Sequence, residues 1–422
     1  MSKRKLLAIT LSAVLTVGIF SKDIYAWEEY EDRLIEILSD IQDGRTERAL
    51  EATKELIGHQ PSSRLGNLIY ADLMAARGGV LPSVGGGVLD SAQRQESLPG
   101  LIHELTTRWR RHKQNADQVN NKVPSSLLKI SSKSRNVVYA DLSESRLYVY
   151  ENYQGKLKLV KDFFVTQGLQ GSRKRKEGDQ RTPVGVYYTT GFIAGATLPS
   201  RYGPGALPIN YPNPIDRQHQ RTGYGIWIHG TEPFLLNRAP QASDGCLSLN
   251  NDDFLKLNDV LHGYRHVPVI IDDNPNWVAQ DFLAKRSAEI VDTIQKWRQA
   301  WESRNPEALF AYYDNERFSS AAENFDSWSR KKELALQIHE NLNITIQDLE
   351  IFEYPGEEGV VLADFQQKLE SDHFTSTIRK QQYWKQSKKG DWKVIYEGLS
   401  QKSPPPKSTL AKSSGSTTPP SS

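Results

Sequence analysis

Residues 225–250 read GIWIHGTEPFLLNRAPQASDGCLSLN. Two short runs at the ends of this stretch, GIWIHG and CLSLN, have the alternation expected of strands. His229 closes the first and Cys246 opens the second, 246 − 229 = 17 positions later. A strand, a loop and a returning strand can bring two such ends into contact. Cys246 is also the only cysteine among 422 residues.

The start of the chain makes the lone thiol more informative. It opens MSKRKLLAITLSAVLTVGIFSKDIYAW, with Lys3, Arg4 and Lys5 ahead of an apolar run from Leu6 to Phe20 and the small residue Ala26. This is the layout of a signal peptide over residues 1–26, cleaved before Trp27. The apolar run is shorter than the ~20 residues that a spanning helix needs. An exported protein, in the periplasm or cell envelope, is therefore expected. Exported chains use cysteines in pairs, and one cysteine has no partner within its own chain. It is then an inert buried thiol, an intermolecular link or a nucleophile. Ser243, Asp244 and Gly245 precede it, a polar setting that favours reactivity.

A net charge of +2 gives no reason to expect nucleic acid, and 38% hydrophobic residues allow two or three domains with real cores. The pattern divides the chain. Residues 27–130 read as helical, with Leu34, Ile37, Leu38 and Ile41 at helical spacing and a further helix after Pro61 carrying Leu65, Leu68, Ile69 and Leu73. Residues 136–272 switch to a period of two and form a mostly-β domain, with a turn at 142–145, a hairpin at Gly155 and one helix capped by Asn251 or Asp252. Residues 276–399 begin with a helix bearing Ile290, Ile294, Trp297 and Trp301 and continue as strands with turns at Pro355-Gly356 and Gly390-Asp391. They predict an α+β cone. Residues 400–422, rich in Pro, Ser and Thr, read as a disordered tail. The expected fold class is thus multidomain: helical segment, mostly-β catalytic domain, α+β cone.

The middle domain resembles the L,D-transpeptidase catalytic domain of peptidoglycan enzymes. His229-Gly230, Ser243-Asp244-Gly245-Cys246 and the upstream GDQRTPVGVY, with Thr182, Pro183 and Gly185, occur in that family's order. The resemblance implies that Cys246 is the nucleophile, His229 its base, and the Gly230 carbonyl the holder of the second imidazole nitrogen. An imidazole beside a thiol can take its proton and hold an ion pair. The N–H groups of Asp244, Gly245 and Cys246 are then expected to face the oxyanion. No metal or cofactor is implied. The substrate implied is the stem peptide, attacked at the bond between its diamino acid and D-alanine, with 3-3 crosslinks as the product. Trimming of tetrapeptide stems to tripeptides by an L,D-carboxypeptidase is the alternative.

The family's arginine two residues after the cysteine is replaced here by Ser248. Arg201, Arg217 and Arg221 are expected to supply that charge from a neighbouring loop. Ser243, Ser248, Arg221, Tyr202, Tyr224 and Trp227 form the expected substrate-binding set. The last segment resembles the nuclear-transport-factor-2-like fold, which implies a pocket for a wall-derived ligand or a protein partner. Two other functions compete. A wall-binding scaffold has no use for a lone exported thiol, and a metallopeptidase lacks its ligands, since no HExxH run occurs.

Overall fold

A computed structural model describes residues 30–79, 84–85, 92–113, 122–261, 266–320, 323–338, 341–372 and 374–400. The expected signal peptide and Pro/Ser tail lie outside the described residues. These residues fall into two compact units: those up to Glu289 together with Ile351–Val360, and Ile290–Glu350 together with those from Val361 on.

The first unit begins with four helices, α1 (Tyr30–Gln42), α2 (Thr46–His59), α3 (Arg64–Arg77) and α4 (Ala92–Lys113). Their apolar stripes, including Leu34, Ile37, Leu50, Leu65, Ile69 and Leu105, bury into one core. Ser63 starts α3 by accepting from the Gly66 N–H at 2.9 Å. Such caps are typically worth about 1 kcal/mol.

The strands follow: β1 (Lys122–Pro124), β2 (Asn136–Asp141), β3 (Arg146–Tyr153), β4 (Lys156–Phe164), β5 (Gln167–Gly168), β6 (Gly185–Tyr188), β7 (Ile193–Ala194), β8 (Gly205–Pro208), β9 (Trp227–His229), β10 (Gln241–Ser243), β11 (Leu247–Ser248), β12 (Pro268–Asp272) and β13 (Trp277–Ala279). Between them lie α5 (Pro214–Gln218) and α6 (Asn251–Leu261). A five-stranded sheet runs β4-β3-β2-β12-β6 and a four-stranded one β11-β9-β8-β7, while β1 pairs with β13 and β10 with β5. The core joins Val138, Val149, Val269 and Ile271 of the first sheet to Leu207, Ile228 and Leu247 of the second, with Phe254, Leu257 and Leu261 of α6. The helix cap is Asn250, whose Oδ1 accepts from the Asp253 N–H at 2.9 Å. Asn251 and Asp252, the expected caps, are already inside the helix.

The second unit holds most of α7 (Gln280–Glu302), then α8 (Pro306–Phe310) and α9 (Phe325–Ile338). Its sheet contains β14 (Ser319–Ser320), β15 (Glu323–Asn324), β16 (Asn343–Glu353), β17 (Val360–Ser371), β18 (Phe374–Gln386) and β19 (Trp392–Leu399), in the order β15-β14-β19-β18-β17-β16. Its interior is polar as well as aromatic. Glu397 accepts from Lys380 Nζ at 2.8 Å, Gln382 Nε2 at 2.7 Å and Tyr313 OH at 2.8 Å, and Trp297 Nε1 donates to Tyr313 OH at 3.0 Å. Lys332 Nζ sits 3.4 Å above the Trp301 ring. Burial, reinforced by Lys380, pushes the Lys332 ammonium down to about 7.

The tip of the β16–β17 hairpin belongs to the first unit. There Ile351 bridges Lys129, and the Tyr354 hydroxyl accepts from Asn213 Nδ2 at 2.7 Å. Tyr354 also lies so close to Gly185 that a Cβ at that glycine would collide with its hydroxyl. This contact explains the glycine of the TPVG run.

Candidate active site

Strands β9 and β11 pair in parallel, with Leu247 opposite Ile228 and Ser248 opposite His229. Continued by one residue, that register sets Cys246 beside Trp227. Side chains two apart on a strand share a face, so Cys246 lies on the face that carries His229. The strand–loop–strand arrangement of residues 225–250 thus brings the two ends together.

His229 is buried, and its Nδ1 lies 2.5 Å from the Gly230 carbonyl. A carbonyl only accepts, so Nδ1 carries the proton and Nε2 keeps its lone pair. The Tyr202 ring packs edge-on against the imidazole at 4.9 Å and against Trp227 at 5.0 Å. Cys246 is partly exposed, and its Sγ donates to the Gly225 carbonyl at 3.4 Å.

The turn before the thiol is closed by one hydroxyl. Ser243 Oγ donates to the Cys246 carbonyl at 2.6 Å and accepts from the Gly245 N–H at 3.1 Å. Gly245 has φ +122°, and a Cβ there would lie 2.7 Å from the Arg181 carbonyl oxygen, so only glycine fits. Thr182 of the upstream run braces the same turn by donating to the Gly245 carbonyl at 3.0 Å.

Several expected roles change. The Gly245 N–H is engaged within the turn, which leaves it unsuited as an oxyanion donor. Ser243 is buried and its hydroxyl is used twice within the turn. Ser248 is buried too, donating to the Gly230 carbonyl at 3.3 Å. Arg221 is held by Asp216 at 3.0 Å and Glu357 at 2.6 Å, and Arg217 donates to the Pro212 carbonyl at 2.5 Å. Arg221 is thus paired with two carboxylates, whereas Arg217 is exposed and its partner is a neutral carbonyl. Arg201 remains in solvent, 5.1 Å over the Tyr202 ring. Tyr224 is 79% exposed, on the segment whose Gly225 touches the thiol. Asp244 is exposed and accepts from Gln180 Nε2 at 3.1 Å.

The electrostatics oppose a resting ion pair. Burial pushes the His229 imidazole down to about 4; the Gly230 carbonyl resists, while Arg238 and Arg201 add to the fall. Burial also pushes the Cys246 thiol up, with Asp244 adding to it and a Trp227 backbone bond, Arg238 and Lys174 resisting. Desolvation penalises both charged forms at once. Both shifts disfavour the charged forms, so the surroundings of the two groups lend no support to the expected thiolate–imidazolium pair. Sequence reasoning also passed over Arg238, which donates to Ser248 Oγ at 3.0 Å and to the Ala242 carbonyl at 2.6 Å. The available signal was that it is the one basic residue between His229 and Cys246. Among the described residues no group of His, Cys, Asp and Glu is arranged to hold a metal ion, and no helix is long and apolar enough to cross a membrane.

Comparisons with known proteins agree with this architecture. Residues 135–271 match the L,D-transpeptidase catalytic domain, and residues 289–398 match the Cds6 C-terminal NTF2-like domain. No curated protein matches the chain. Among solved structures, Bd1075 of Bdellovibrio bacteriovorus is similar with a TM-score of 0.58 and 27% identity, covering 66% of this chain and 98% of its own. The helical cell shape determining protein Pgp2 of Campylobacter jejuni is similar with a TM-score of 0.55 and 24% identity, covering 66% of this chain and 97% of its own. Residues 135–271 are an L,D-transpeptidase-family catalytic domain, preceded by helices and followed by an NTF2-like domain.

Proposed function

We propose that this chain is an exported L,D-carboxypeptidase that trims tetrapeptide stems of peptidoglycan to tripeptides. His229 Nε2 takes the Cys246 proton as the sulfur attacks the carbonyl of the diamino acid. The N–H groups of Cys246 and Asp244 receive the oxyanion. Collapse breaks the bond to D-alanine, and His229 returns the proton to the departing amine. Water, deprotonated by the same imidazole, then hydrolyses the thioester and regenerates the thiol. Thiol, imidazole and backbone suffice for these steps, so no cofactor is required.

One observation supports water over an amine as acceptor. Crosslinking requires a second peptide to be held and oriented, which can be worth several orders of magnitude in rate. Of the three loop arginines expected to hold it, Arg221 is committed to Asp216 and Glu357. Hydrolysis needs no such groove. The printed description of Pgp2 as a cell shape determining protein suggests the same setting for this chain. The Lys332, Lys380 and tryptophan lining of the second unit is the place we assign to a wall-derived ligand or a protein partner.

Purified tetrapeptide muropeptides incubated with the enzyme should give tripeptide and free D-alanine by mass spectrometry, and Cys246→Ala should give neither. A 3-3 crosslinked dimer as the main product at high acceptor concentration would replace this reading with transpeptidation.

A further inference from the structure

Arg238 connects the two catalytic strands. Its Nη1 reaches Ser248 on β11, and its Nη2 reaches the Ala242 carbonyl on β10, just before the nucleophile turn. Ser248 Oγ passes the contact on to the Gly230 carbonyl, the same oxygen that holds His229 Nδ1. One guanidinium thus braces the turn that presents the thiol and, through one hydroxyl, the carbonyl that orients the base.

Both acceptors of that guanidinium are neutral. Among the described residues it forms no ion pair; Glu232 and Asp244 act on it only through longer-range attraction. A half-buried cation without a counter-ion is costly, and a neutral side chain could fill the same space without that cost. Its charge instead acts on the reacting pair. At Cys246, Asp244 opposes the thiolate while Arg238 and Lys174 favour it, and Arg201 also interacts favourably with the thiolate. At His229, Arg238 and Arg201 both disfavour the imidazolium. Arg238 therefore keeps the imidazole ready to accept a proton and favours the sulfur giving one up.

We propose that Arg238 is a positioning residue for the acyl transfer, supplying from the loop the cation that residue 248 lacks and locking the Ser248–Gly230–His229 chain. The proposal rests on the cysteine mechanism above.

The test uses the full chain with three variants: Arg238→Met, Arg238→Lys, and Arg238→Met combined with Ser248→Arg. Turnover of tetrapeptide muropeptide, the pH profile of Cys246 alkylation by iodoacetamide, and thermal melting are read for each. Arg238→Met should lower kcat by about a hundredfold, the scale of a small misplacement of reacting groups, with KM little changed. Its alkylation curve should move to higher pH. Arg238→Lys should keep the wild-type alkylation curve, because it keeps the charge, yet lose turnover with the fork. The double variant should recover the alkylation curve and part of kcat. An unchanged alkylation curve in Arg238→Met, or a double variant no better than the single one, overturns the proposal. If Arg238→Met does not fold, an Arg238→Lys protein with wild-type turnover refutes the fork. Activity surviving in Cys246→Ala would instead refute the cysteine mechanism, whatever the Arg238 variants do.

Discussion

The lowered imidazole and the raised thiol have two measurable consequences. Burial lowers the His229 imidazole from 6.5 to about 4. At 1.36 kcal/mol per unit that is about 3 kcal/mol against charging the ring in the folded protein. The sign follows from proton binding. Between pH 4 and 6.5 the unfolded chain carries a proton on this residue that the native state does not. Stability from this group is therefore complete above the unfolded value and is lost as pH falls toward the folded one. Urea unfolding at pH 7 and at pH 4.5 should show a drop in the wild type that is about 2–3 kcal/mol larger than in His229→Gln, which cannot titrate. The thiol gives the second reading. With its value raised above the ordinary 9.0, alkylation of Cys246 should climb about tenfold per pH unit from pH 6 to 9 without a plateau. A plateau of fast alkylation between pH 5 and 8, or equal acid sensitivity in His229→Gln, would refute these shifts.

Two further outcomes follow from buried contacts. Glu397→Gln leaves Lys380 buried without its carboxylate and should destabilise the second unit by about 3–5 kcal/mol, the usual cost of breaking a buried pair, as measured by thermal melting. A chain ending at residue 275 keeps every catalytic motif but loses Tyr354 and Glu357; it should lose most muropeptide cleavage, and full activity in that fragment would show that the hairpin tip is dispensable.

What the sequence revealed and what it hid have a common physical explanation. The proximity of the Cys246 and His229 strands was legible because the strand period and the glycine before the thiol act within 26 residues, and the absence of a second cysteine in the whole chain singled out the thiol. The three-part architecture was legible because the hydrophobic period changes from helical to two and then changes again. Partners set by tertiary approach were not. Arg221 looked available because its acceptor Glu357 lies 136 positions away. Ser248 looked like a gap in a motif because Arg238 reaches it from across the loop. An ion pair is natural for a thiol beside an imidazole, and only the tertiary structure reveals the burial of His229 that opposes its charging. Even the cap of α6 was misplaced by one or two residues, since Asn250, Asn251 and Asp252 are all competent caps and only the backbone turn selects among them.

The placement of residues 351–360 in the catalytic unit also bears on how the protein is made. A chain is synthesised from its N-terminus, so the segment holding Asn213, Asp216 and Arg221 emerges long before Tyr354 and Glu357 exist to meet it. Through that interval the nascent domain has Cys246 and His229 but not its full set of packing partners. A premature stop anywhere between codons 272 and 351 would release a polypeptide that bears the whole catalytic signature and still lacks a piece of the catalytic body. The domain is thus continuous as a sequence motif and discontinuous as a folding unit, and recombination that exchanges the C-terminal region would have to carry a matching hairpin tip with it.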